Sequence, residues 1–132
     1  MDDYVEMARS GDLGGAFHGL RQLDASTIPV VQDAYRSEAD PAVRAVLVHS
    51  IWEHRDPSAI RFLAEAVRDH DPAVWKEALD GLVSLASPEA ERVLNLVICS
   101  HDDARRAWIE EAIGQIRDAL TSPERWLAGP FS

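Results

Sequence analysis

The sequence predicts an all-α solenoid of about four helical hairpins, and three observations predict it. The tetrapeptide DPAV occurs at 40–43 and again at 71–74. Helix-start dipeptides at Asp40-Pro41, Asp56-Pro57, Asp71-Pro72 and Ser87-Pro88 are spaced by 16, 15 and 16 residues. Apolar positions also superimpose when the chain is shifted by 31 residues.

Each dipeptide starts a helix for two separate reasons. The Asp or Ser oxygen accepts a hydrogen bond from a free backbone N–H at the helix N-terminus. Pro suits the first helical position, where its missing N–H costs nothing. An interval of this length holds one helix of about 13 residues and a turn, so two intervals make a hairpin.

The shift of 31 residues sets Val43 on Val74, Leu47 on Ala78 and Ile109, and Ile51 on Leu82 and Ile113. One step back gives Ala16 and Leu20 in the same columns. These offsets lie on one stripe of a 3.6-residue helix. A column of small residues, Gly19, Ser50, Gly81 and Ala112, allows the first helices to approach closely. The second helices repeat as well: Ala59 with Ala90, Arg61 with Arg92, Leu63 with Leu94, and Val67 with Ile98.

In order, residues 1–9 are a short lead-in, and 13–24 with 28–37 form a degenerate first pair. Residues 41–55 pair with 57–70, and 72–86 with 88–100. The last pair is 103–120 with a curtailed helix over 123–127. The chain is read as one domain, 1–132, with a degenerate N-terminal repeat, 1–39, and repeats 40–70, 71–101 and 102–132. Degenerate end repeats are expected where an open core must be capped. Gly14 and Gly15 weaken the first helix of the first pair.

The segments DPAVRAVLVHSIWEHRDPSAIRFLAEAVRD and DPAVWKEALDGLVSLASPEAERVLNLV resemble HEAT repeats, in the short form of bacterial HEAT-like and phycobilin-lyase-related proteins. The resemblance implies a right-handed solenoid whose second helices line the concave, ligand-holding side. It places Ser58, Arg61, Glu65 and Arg68 beside Glu89, Arg92, Leu96 and Cys99 on that side. The plainer reading of this face is a solvated one, with pairs such as Arg61–Glu65 at i,i+4. The resemblance also implies Arg at the fifth position of each repeat, paired with Asp across repeats. Arg44 and Arg106 fit, while Trp75 interrupts the ladder.

Composition narrows the partner. The formal net charge is −10 and the sequence pI about 4.8. Such a chain repels nucleic-acid phosphate and attracts a basic protein. Glu53, Asp80, Glu110 and Glu111 on successive first helices are expected to form an acidic strip. The lone Cys99 allows no intrachain disulfide and no multi-cysteine metal site. It suits a reducing cytoplasm. The first residues lack the cationic start and apolar run of a signal peptide. No window reaches the ~20 apolar residues of a membrane span.

The four tryptophans fall off the shared core stripe. Trp52 aligns with Val83 and Gly114, Trp75 with Arg44 and Arg106, and Trp108 with Val46 and Glu77. A column that holds Arg or Glu is a poor core position, and exposed Trp is enriched at binding hot spots. Trp52 and Trp75 are therefore expected to face a partner, and Trp126 to seal the last repeat. Packing between neighbouring repeats is the competing reading.

Enzyme signatures are weak. His49 and Glu53 share a helix face as a candidate metal or acid–base pair, but two ligands do not make a site. Cys99 and His101 form a weak candidate dyad. No phosphate-loop, GxSxG or HExxH motif occurs. The HE dipeptides of HEAT-like iron hydroxylases are absent too.

The expected function is non-catalytic protein binding. Its narrower form is an acidic inhibitor or immunity-type protein that neutralises a basic partner such as a bacterial toxin. The alternatives are a general adaptor or scaffold, then a HEAT-like lyase or lyase-partner enzyme. The expected partner-binding residues are Trp52, Trp75, Arg61, Glu65, Arg92, Leu96, Glu53 and Asp80. No cofactor, metal, nucleic acid or membrane is implied.

Overall fold

Among the described residues, where a Pro follows Asp or Ser the backbone does what the dipeptide predicts, with one exception. In the computed structural model, which describes residues 2–100 and 102–121, Asp40 accepts from the Ala42 N–H and Asp71 from the Ala73 N–H, each at 2.9 Å. Ser87 Oγ accepts from the Ala90 N–H at 3.1 Å. Asp102 accepts from the Arg105 N–H at 2.8 Å. Asp56 is the exception. It takes the Ser58 N–H, but residues 57–58 form a turn and the α-helix begins at Ala59. The first bonds there run from Ala59 to the Asp56 carbonyl and from Ile60 to that of Pro57, a tighter i,i+3 pattern.

Among the described residues there are eight α-helices and no strand. They are α1 (Asp2–Arg9), α2 (Leu13–Arg21), α3 (Ile28–Ser37), α4 (Pro41–Glu53), α5 (Ala59–Ala66), α6 (Pro72–Leu85), α7 (Pro88–Val97) and α8 (Asp103–Thr121). Single 3₁₀ turns at Ala25–Thr27 and Ile98–Ser100 lead into α3 and follow α7. The predicted helix at 123–127, with Trp126, lies outside the described residues, as does His101.

The first helices α2, α4, α6 and α8 stack in sequence as one layer. The second helices lie over the seams of that layer: α3 on α4, α5 on α4 and α6, and α7 on α6 and α8. This is a helical solenoid. Helix α1 is more than the expected lead-in. It packs on α2 and α4 and borders a groove with α3, so it opens the second layer.

The column of small residues does what its size suggests. Gly19, Ser50, Gly81 and Ala112 are all buried. A Cβ on Gly19 would strike the Tyr4 ring, and one on Gly81 would lie 2.7 Å from the Trp52 ring. The columns beside it supply the core. Leu20, Leu47, Ile51, Leu63, Leu82, Leu94 and Ile109 are all but fully buried. Each such side chain is worth about 1.5–3 kcal/mol against exposure.

Candidate functional site

Trp52 and Trp75, expected on the surface facing a partner, are instead buried, at 8% and 6% exposed. Trp52 lies in the space that Gly81 leaves open on the next first helix. Its Nε1–H donates to Glu77 Oε1 at 2.9 Å. Its ring stacks on His49, which stacks in turn on Phe17 at 4.0 Å. The column alignment missed this because the vacancy belongs to a different column of the following repeat.

Trp75 is buried beneath a cation. The Arg105 guanidinium lies 4.9 Å from its ring centroid. From there Arg105 Nη1 donates to the Val67 and Asp69 carbonyls at 3.1 and 2.9 Å. Trp108 meets Trp75 edge-on at 6.0 Å, and Lys76 Nζ sits 4.5 Å over the Trp108 ring. Trp108 itself is 49% exposed. The signal for it was in the sequence: its sibling Glu77 marks a column that reaches solvent, since Val46 and Glu77 are both only partly buried.

The fifth-position Arg is present as an ion pair within its own repeat. Arg44 grips both Asp69 oxygens, at 3.0 and 3.1 Å, and donates to the Glu38 and Ala39 carbonyls. Asp69 also accepts from Tyr35 Oη at 2.7 Å and from the Asp71 N–H at 2.9 Å. Burial alone would raise the Asp69 pKa, but Arg44, the Asp71 N–H and Tyr35 outweigh it and hold the carboxyl below its ordinary range. Burial, reinforced by Asp69, pushes the Tyr35 phenol up. One repeat earlier, Glu38 plays the part of Asp69. It takes Arg9 at 2.8 Å and the Asp40 N–H at 3.1 Å. These contacts outweigh its burial, and its pKa is lowered too.

On the second-helix layer, the structure brings Arg61, Glu65 and Leu96 together. They line a groove of about 300 Å³ between α5 and α7, with Arg68, Val93 and Val97. Leu96 is 73% exposed. Arg92 joins the rim through Glu89, which lies 3.7 Å from both Arg92 and Arg61. Glu65 is engaged elsewhere, by both arms of Arg36 at 3.0 Å. The sequence-adjacent pair Arg61–Glu65 is therefore replaced by two bridges between helices.

On the first-helix layer, Glu53 and Glu77 flank His49 at 3.6 and 3.7 Å. Asp80, Glu110 and Glu111 are exposed. Asp80 is open by accessible area, yet enough protein crowds its carboxyl to raise its pKa through desolvation, against the pull of His49. Among the described residues, no group of three or more His, Cys, Asp or Glu side chains could hold a metal ion. Cys99 is a free, exposed thiol.

The model of the HEAT-repeat family matches residues 28–114, about two thirds of the chain. The chain belongs to the HEAT-repeat family. HEAT repeats generally mediate protein–protein interaction or act as scaffolds, and the family is generally non-catalytic. No curated protein and no solved structure matches the chain. Among the described residues, no helix is long and apolar enough to cross a membrane.

Proposed function

We propose that this chain is a non-catalytic binding protein whose first-helix face engages a protein with a basic surface. Trp108, with Lys76 over its ring, is its aromatic anchor, and Glu53, Asp80 and Glu111 are acidic residues of the same first-helix layer. The observation that carries the reading is the half-exposed Trp108 on the same layer as these carboxylates. A large ring of this kind is a costly surface for a monomer and a common hot spot. The net charge of −10 supplies the long-range attraction. An inhibitor or immunity-type role in the cytoplasm is the specific form of this proposal, and the repeat boundaries at Asp40, Asp71 and Asp102 belong to it.

A second reading, a scaffold joining two partners, is favoured by the groove at Arg61, Glu65, Arg92 and Leu96, which lies on the other helix layer.

The test is a pull-down from native lysate at low and moderate salt. Wild type would be run beside Trp108→Ala and an Asp80→Lys/Glu111→Lys variant. The expected result is capture of a basic protein that is lost at moderate salt and with either variant. Capture unchanged by salt and by both variants would overturn the reading.

A further inference from the structure

We propose that the second-helix layer is the interface of a two-fold symmetric homodimer, with two copies packed antiparallel, face to face. Three grooves cross this layer in succession: α1–α3, α3–α5 and α5–α7, of about 380, 330 and 300 Å³. The outer two each have an apolar floor, and their lining charges are opposite in sign. The α1–α3 groove has an apolar floor of Val5, Val30 and Ala34, with three carboxylates, Asp2, Glu6 and Asp33, against one guanidinium, Arg9. The α5–α7 groove has a floor of Ala64, Val93, Leu96 and Val97, with two guanidiniums, Arg61 and Arg68, against one carboxylate, Glu65. That carboxylate is already held by Arg36.

The local sign at α5–α7 therefore runs against the sign of the whole chain. Arg68 makes no ion pair among the described residues, and Asp33, although it lies 3.3 Å from Arg36, keeps a side chain that is 81% exposed to a partner. The two most exposed large hydrophobics among the described residues are Leu96 at 73% and Val30 at 52%. One sits in each outer groove, and both are on this layer.

A two-fold axis through the middle groove exchanges the outer grooves. Each acidic groove then meets the basic groove of the other copy, and each copy makes the contact twice. This self-complementarity is what an isologous interface requires. The middle groove suits the axis because its charges pair within one chain, Arg44 with Asp69 and Arg36 with Glu65. The first-helix layer stays free, so this inference stands or falls independently of the basic partner proposed above.

The experiment is sedimentation equilibrium over a range of concentrations for wild type, Arg68→Glu, Asp33→Arg and an equimolar mixture of the two variants. Circular dichroism establishes that each is folded. Wild type is expected to dimerise. Each variant alone faces like charge in both contacts, and its dimer should weaken by about tenfold or more. In the mixture, both contacts again join opposite charges, so the heterodimer should return to near wild-type strength. A wild type that stays monomeric to millimolar concentration overturns the proposal. That includes the case in which the α5–α7 groove instead takes an acidic helix from another protein. Failure of the mixture to recover overturns it as well, because the grooves would then not face each other.

Discussion

Arg44 and Trp75 stand at the same position of consecutive repeats, and both hold the segment that follows α5. Arg44 holds it from the preceding first helix, through a charged grip on the Asp69 side chain. Trp75 holds it from the following one, as a platform beneath Arg105, whose guanidinium binds the Val67 and Asp69 carbonyls. The repeat position thus serves a task, the anchoring of the segment after α5, rather than requiring one side chain. The ion pair needs an acid two residues before the next Asp-Pro, and Asp69 supplies it. The equivalent position one repeat later is Ser100. With no acid there, an Arg at 75 would lack this partner, and an aromatic ring is the better occupant.

The largest effect expected from breaking this comparison is at Trp75. Trp75→Ala should cost about 3–5 kcal/mol of unfolding free energy in denaturant titration, as for other buried aromatics. A loss well under 1 kcal/mol would mean that the ring does not bear on the core. Arg44→Ala comes next, at about 3 kcal/mol, because it leaves Asp69 buried without its cation. Arg44→Lys should recover only part of this, since a lysine cannot span both carboxylate oxygens. The double variant Arg44→Ala/Trp75→Ala sharpens the comparison. The two residues share one segment, so their costs should depart from additivity by about 0.5 kcal/mol or more. Strict additivity would show that the two ties are independent.

A smaller effect separates the repeats by pH. Asp69 and Glu38 have folded pKa values below their ordinary 3.8 and 4.5. A depressed carboxyl contributes its stability in full above its unfolded pKa and loses it as pH falls through the folded one. Stability should therefore hold from neutrality to about pH 5 and decline below about pH 4. Asp69→Asn should be less stable at neutrality and show a shallower decline. An unchanged slope would count against the ion pair. The smallest effect on stability is expected at Trp108, where Ala should cost about 1 kcal/mol or less. Its consequence belongs to partner binding, the reverse of Trp75.

The helices themselves were legible because their causes are local. An Asp or Ser before Pro caps its own helix, and Leu47, Ile51 and their equivalents form a stripe by spacing alone. The partial exception at Asp56 shows the limit of that locality, since the same dipeptide there ends in a tighter turn. The partner-facing tryptophans were misread for a definable reason. The alignment compares a residue with its siblings in other repeats, whereas burial depends on what the neighbouring repeat leaves open. Trp52 is buried because Gly81 has no side chain, and Trp75 because Arg105 reaches back over it.

The sequence alone determined the helical periodicity, the capped starts, the small-residue column and the excess of acid. Only the tertiary structure decided which tryptophan among the described residues remains exposed, that α1 joins the second layer, and that the Arg-lipped and acid-lipped grooves lie on one face. The first set depends on contacts within a turn or two of one helix, where backbone hydrogen bonding and residue spacing act directly. The second depends on side chains from different repeats meeting across a stack, and it exists only once the stack has formed.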